Sequence, residues 1–150
     1  MMRLSSLWIL LVTLALLPLT ALAEDGRKPW TPEDLWKLKQ VGGPALRPDG
    51  ALVAYQVTET NFDMNTSRTH VRVVRTDGTG DRQVTWATKG SDSHPVWSPD
   101  GRELAFLSSR HEGNQLYLLP YEDGGEAHRI VEFPGGVEDF AFTPDGRAVI

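Results

Sequence analysis

The sequence predicts an all-β chain: a partial β-propeller of two four-stranded antiparallel blades plus the start of a third, preceded by a signal peptide and a short helix. Three observations lead there. Pro-Asp-Gly occurs at Pro48-Asp49-Gly50, Pro99-Asp100-Gly101 and Pro144-Asp145-Gly146, spaced by 51 and 45 residues. The flanks keep the same register: Leu46, Trp97 or Phe142 stands two residues before each Pro, and Val53, Leu104 or Val149 three residues after each Gly. Finally, Leu104-Ala105-Phe106-Leu107 is apolar at every position, the pattern of a strand covered on both faces. Repeated four-stranded units of about 45 residues are how propeller blades read in sequence.

The chain opens with Arg3, an apolar run from Leu4 to Leu17, Pro18, and small residues at Ala21 and Ala23. That is the three-part pattern of a secretory signal over residues 1–23, cut before Glu24, and the run is short for a membrane span. The expected location is therefore the periplasm or the exterior. No membrane association is expected once the signal is cut. Residues 24–40 form an N-terminal segment. In it Thr31 reads as a helix N-cap, Pro32 as the first helical position, and Glu33 and Asp34 as acids matched to the helix dipole. Leu35, Trp36 and Leu38 are expected to pack on a blade.

Residues 41–150 carry the repeats. Within each tripeptide Pro presets φ for a turn, Asp tolerates the next position, and Gly takes the left-handed conformation that completes a hairpin loop. Ser98 and Thr143, before the Pro, can accept a local backbone hydrogen bond; Arg47, at the same place in the first copy, lacks an acceptor. In the second copy the strands are expected at Pro95–Trp97, Glu103–Ser108, Gln115–Leu119 and His128–Val131, the last being the polar outer edge. The first copy gives Ala51–Thr58, His70–Val74 and Arg82–Thr85, with Asn61–Thr69 as a polar loop insertion. Asp77-Gly78 and Asp123-Gly124 recur in register, each followed six residues later by a β-branched residue, Val84 or Ile130.

The chain carries a net charge of −5, and without the first 23 residues it holds 14 basic against 20 acidic residues, a net of −6. With no basic run, nucleic acid and anionic membranes are poor partners. The absence of cysteine excludes a disulfide framework and thiol chemistry.

No residue is assigned a catalytic, cofactor-binding or metal-binding role. Asp92, Ser93 and His94 have the residue types of a hydrolytic triad, but neighbours in sequence cannot adopt relay geometry, so a loop role is expected. His70, His94, His111 and His128 lack metal-ligand spacing. Asp92, Glu138 and Asp139 precede first strands and could line a central channel, a solvated turn being the simpler expectation. Asn65-Thr66-Ser67 matches a glycosylation pattern without further support. Trp86, Trp97, Phe106 and Tyr117 are expected to pack between blades.

These residues resemble the Pro-Asp-Gly, WD-like repeats of exported bacterial propellers. The combination of Thr31-Pro32-Glu33-Asp34-Leu35, His94-Pro95-Val96-Trp97-Ser98-Pro99-Asp100-Gly101, Leu107-Ser108-Ser109-Arg110, Gly124-Gly125-Glu126-Ala127 and Gly136-Val137-Glu138-Asp139-Phe140 is similar to the prolyl oligopeptidase family, in its dipeptidyl aminopeptidase and acylaminoacyl peptidase branch. The resemblance covers residues 30–150; Arg47 and Thr143 stand where that family usually has Ser, and Phe142 where Trp is common. It implies a serine peptidase of short peptides. An N-terminal propeller would gate access to a C-terminal α/β-hydrolase domain of the same chain, with a Ser-Asp-His triad and no cofactor. No Gly-x-Ser-x-Gly occurs in this sequence, so the chain is expected to be inactive alone. Two blades do not close a ring and the third repeat is incomplete, so a longer parent is expected. Exposed faces at Leu104–Leu107 would then favour poor solubility or oligomers. The rival readings are a non-enzymatic propeller of the Tol–Pal type that binds a partner protein, and a propeller fused to an amidohydrolase.

Overall fold

The computed structural model describes residues 29–130 and 132–149, so the expected signal at 1–23 and position 131 lie outside the described residues. The described residues from Thr31 onward form one compact unit. A single helical turn, α1 (Pro32–Trp36), is followed by strands β1 (Gln40–Leu46), β2 (Leu52–Asn61), β3 (Thr66–Arg75), β4 (Arg82–Gln83), β5 (Asp92–Trp97), β6 (Glu103–Ser108), β7 (Gln115–Pro120), β8 (His128–Arg129), β9 (Ala141–Phe142) and β10 (Ala148–Val149). They form two four-stranded antiparallel sheets, each in sequence order, and a two-stranded hairpin.

Two apolar layers hold the sheets together, and β6 supplies both. Its Leu104 and Phe106 join Ala54, Val71, Val73 and Val84 of the first sheet, with Trp97, Tyr117 and Leu119. Its Ala105 and Leu107 join Leu116, Val137 and Phe140 on the other side. Alternate side chains leave a strand on opposite faces, so a strand sandwiched between layers must be apolar throughout. Burial of these four residues corrects the expectation that Leu104–Leu107 would be uncovered: the first sheet shields one face, and the 137–140 segment the other.

The same geometry sorts the residue two places before each Pro. Trp97 is 5% exposed because it faces the first sheet, and its Nε1 donates to Ala45 O at 3.1 Å. Leu46, its equivalent, is 61% exposed, since no described sheet lies on that side.

Four further expectations change. Asn61–Thr69 is not a loop: β2 and β3 each run for ten residues and pair to the end, leaving only a turn in which Asn65 N–H donates to Phe62 O at 3.1 Å. Cross-strand hydroxyl pairs, Thr58–Thr69 and Thr60–Ser67, let polar residues extend the hairpin, which explains why composition reads as loop. Leu35, Trp36 and Leu38 are exposed rather than packed on a blade; α1 is too short to bring all three to a sheet, and Trp36 instead meets Phe62 at 5.2 Å between ring centres. Trp86 is also exposed, on the segment that follows the two-residue edge strand β4. β5 starts three residues earlier than expected, at Asp92, because a bulge at His94 interrupts the alternation without ending the pairing.

The third hairpin pairs Ala148 with Phe142, whereas the first and second pair Val53 with Leu46 and Leu104 with Trp97. It is one residue tighter. β10 pairs with β9 alone among the described strands, so no second neighbour fixes its register.

Candidate functional site

The Pro-Asp-Gly turns are built alike. Gly50, Gly101 and Gly146 have φ of 74°, 72° and 83°, and each donates its N–H to the residue before the Pro, at 2.8, 2.8 and 2.9 Å. Asp49 and Asp100 accept from the N–H two residues on, at Ala51 and Arg102, at 3.0 and 3.1 Å. Ser98 Oγ and Thr143 Oγ1 donate to Asp100 and Asp145. Arg47 has no hydroxyl, and its guanidinium takes over: Nε and Nη2 donate to the two oxygens of Asp49, at 2.9 and 2.6 Å. Those donors, with the Ala51 N–H, hold the Asp49 carboxyl below the usual carboxylate range.

Arg47 does more than the hydroxyls. Its Nη1 reaches Glu122, in the turn that follows β7, at 2.5 Å, and its guanidinium carbon lies 5.8 Å from the Trp97 ring centre. Its stem crosses the second turn, where a Cβ on Gly101 would sit 3.1 Å from Arg47 Cγ. Sequence comparison of the three copies marks position 47 as irregular but gives no sign of the contact between repeats, because Glu122 is 75 residues away.

At the opposite end of the first strands, each of the two sheets has a bulge at the equivalent place, in Gly42/Ala45 and Ser93/Val96. Gly43 and His94 occupy the bulges with the same φ of 54°, a conformation a non-glycine residue rarely adopts. His94 N–H donates to Gln56 Oε1 of the first sheet at 3.1 Å, and His94 Nε2 lies 3.3 Å from Asp139 Oδ1. Asp139 is the corresponding residue of the third repeat. The three positions are linked in series: Gln56 Oε1, which accepts from His94, would lie 3.0 Å from a Cβ on Gly43, and His94 in turn reaches Asp139.

The triad-like sequence disperses. Asp92 is fully buried and bonded to Arg110 Nη2 at 2.9 Å, Ser93 pairs with Leu107 in the sheet, and His94 turns to Asp139. No relay is possible. The solvated turn expected for Asp92 is overturned, since the bulge carries Asp92 into the strand and under Arg110, whose guanidinium carbon lies 4.5 Å from the Tyr117 ring centre. Glu138 and Asp139 are exposed. His70 and His128 stand in strands, and His111 is exposed between β6 and β7. Among the described residues no three His, Asp or Glu side chains converge as metal ligands, and no helix is long and apolar enough to cross a membrane.

A cleft of about 550 Å³ opens on the Pro-Asp-Gly side, between the first sheet and the β7–β8 turn. Arg47, Arg75 and Arg82 line it with Tyr121 and Glu122. Nothing in the repeat pattern marks it, because its arginines come from three separate turns and strands.

No protein-family model matches the chain. Over 121 residues it is 34% identical to an uncharacterized peptidase, YuxL, of Bacillus subtilis, covering 80% of this chain and 18% of that protein. Over 121 residues it is 31% identical to dipeptidyl-peptidase 5 of Porphyromonas endodontalis, covering 80% of this chain and 17% of that one. The Tol-Pal system protein TolB of Thioalkalivibrio sulfidiphilus is 30% identical over 98 residues, 56% of this chain and 22% of TolB. Among solved structures, acylaminoacyl peptidase of Pyrococcus horikoshii superposes with a TM-score of 0.65 at 21% identity, over 80% of this chain and 18% of its own. The β-propeller domain of the Trilobed protease from Pyrococcus furiosus does so at 0.59 and 20% identity, over 74% and 32%. Those superpositions make the fold a propeller fold, and the chain spans less than a fifth of the length of its peptidase relatives.

Proposed function

We propose that the chain is the N-terminal propeller section of an exported serine peptidase of the prolyl oligopeptidase type, acting on short peptides, a reading supported by its similarity to two peptidases and to the fold of an acylaminoacyl peptidase. The observation that carries this reading is the 121-residue match to two peptidases, long enough to include both stacked sheets. In this reading the section supplies no cleavage chemistry of its own; Asp92, Ser93 and His94 point to three different partners. Its part is to restrict access. A ring of such sheets leaves a channel along the first strands, wide enough for an extended peptide and too narrow for a folded protein, and a hydrolase domain of the same chain would receive what passes. The bulge residues Gly43, His94 and Asp139 stand on those strands or at their starts, so they are the groups a passing peptide would meet.

The reading is tested on the reading frame beyond residue 150 and on its product. A Gly-x-Ser-x-Gly elbow followed by Asp and His, and hydrolysis of chromogenic dipeptides abolished by a fluorophosphonate, are expected. A frame that closes without the Ser motif removes the proposal. It would favour the second reading, a non-enzymatic propeller that binds a partner protein, which the 98-residue match to TolB supports.

A further inference from the structure

We propose that the cleft between the two sheets on the Pro-Asp-Gly side is a binding site for an acidic peptide segment, held through its carboxylates by Arg75 and Arg82. The proposal is independent of whether the protein is a peptidase. It starts from a local charge that contradicts the whole: a chain of net −5 lines this cleft with three guanidiniums and a single carboxylate. Arg47 is already committed to Asp49 and Glu122, which also accounts for that carboxylate. Arg75 and Arg82 have no carboxylate partner among the described residues, although Asp49, Asp77, Asp81 and Asp100 are all engaged by other donors nearby in sequence.

Both free arginines are held rather than loose. The guanidinium carbon of Arg82 lies 5.0 Å from the Tyr121 ring centre, which fixes its plane on an aromatic face. Arg75 is laid along Gly80, whose φ of 67° and missing side chain let Arg75 Nε pass 3.4 Å from where a Cβ would stand. A preorganised guanidinium loses less freedom when it forks onto a carboxylate, and the bidentate pair is the strong form of that bond.

The neighbouring hollow explains why the ligand is a peptide rather than a small anion. It shares Arg82 and Tyr121 with the cleft and adds Trp86, which is 69% exposed. It also borders β4, the last strand of its sheet. Val84 N–H donates to Val71 O, so in the antiparallel alternation the backbone of Gln83 is directed away from β3, and among the described residues no strand lies beside it. A carboxylate fork, an aromatic face and an open strand edge together match an extended segment carrying an acidic side chain or chain end next to an apolar residue.

The probe is acetyl-Val-Glu-Tyr-Glu-Val-amide, titrated into the intact chain by calorimetry. A second arm, acetyl-Val-Gln-Tyr-Gln-Val with a free C-terminus, separates side-chain from terminal carboxylate. Binding of at least one arm is expected, weakened at least tenfold in Arg75→Gln/Arg82→Gln and several-fold on raising NaCl from 50 to 300 mM. Should that variant unfold, a photoreactive benzoylphenylalanine version of the peptide on the unmodified chain is expected to cross-link at Tyr121, Trp86 or their neighbours. No binding of either arm, affinity unchanged in the variant, cross-links elsewhere, or tighter binding of an oligogalacturonate than of both peptides would overturn the proposal.

Discussion

Gly43 and His94 occupy the same bulge in successive sheets and share a φ of 54°, although only one of them is a glycine. Histidine enters the left-handed region more readily than most residues, and here its N–H is held by Gln56 Oε1 and its ring by Asp139. The backbone, rather than the imidazole, therefore sets the fold at this point, and the imidazole is left for contact along the edge.

His94→Gly is accordingly expected to keep stability within about 1 kcal/mol of the parent, since the Gln56 bond is to the backbone and an exposed His–Asp contact contributes little. His94→Val places a β-branched side chain at positive φ and is expected to cost about 1–2 kcal/mol. Urea unfolding of the two variants checks this. Equal losses would mean that the imidazole contact, not the backbone, holds the bulge.

Arg47 and Gly101 make a coupled pair. Gly101→Ala meets two obstacles, its φ of 72° and the Arg47 stem at 3.1 Å. The first persists in any background at about 1–2 kcal/mol; the second disappears if Arg47 is removed. Arg47→Ala alone gives up the Glu122 bridge and the packing over Trp97, about 1 kcal/mol. The double variant is expected to be less destabilised than the two single losses combined, by roughly 0.5–1 kcal/mol. Strict additivity in a double-mutant cycle would show that the stem moves aside without cost.

The repeat made the fold legible because the same turn chemistry and the same apolar alternation recur at Leu46, Trp97 and Phe142 and in Leu104–Leu107. What the sequence concealed were contacts between copies. Arg47 looked like a lapse from the Ser pattern because its partners, Glu122 and the Trp97 ring, belong to the next repeat. Asp92 looked like a turn residue because a bulge, invisible to alternation, carries it into β5. The stretch Asn61–Thr69 read as loop since the pairing of its hairpin rests on hydroxyls rather than on apolar residues. In the arginine-lined cleft no two of the three arginines are adjacent in sequence, so local motifs say nothing of it.

Asp81 sets part of the response to acid. Arg72 donates to both its oxygens, at 3.1 and 2.8 Å, and Tyr55 Oη adds a third bond at 2.7 Å. The Arg72 bonds, then Tyr55, hold its carboxyl below the usual range. A carboxyl with a depressed folded-state value stabilises the fold fully above its unfolded value of about 3.9, and the contribution is lost as pH falls through the folded value. Melting temperature is therefore expected to fall as pH drops below about 4, with a shallower fall in Asp81→Asn. The slope persists in part, because Asp49, Asp77 and Asp100 are depressed as well. Superimposable acid limbs for the two proteins would rule out this role of Asp81.

The Asp92–Arg110 pair gives an asymmetric expectation. Asp92 is fully buried, with one oxygen on Arg110 and Oδ2 without a hydrogen-bond partner among the described residues, whereas the Arg110 side chain is 24% exposed and can turn to water. Removing the arginine strands a charge in the interior, at about 3–5 kcal/mol, while removing the acid strands nothing. Arg110→Met is thus expected to be severely destabilised, although its chain can still lie against Tyr117. Val41 and Val137 hold the place of Asp92 in the other two repeats, so the position accepts an apolar side chain. Asp92→Val combined with Arg110→Met is expected to recover most of the loss. Chemical unfolding of the three variants decides it: if the double is no more stable than Arg110→Met alone, the cost lies in lost packing around Phe106 and Tyr117 and not in an unpaired carboxylate.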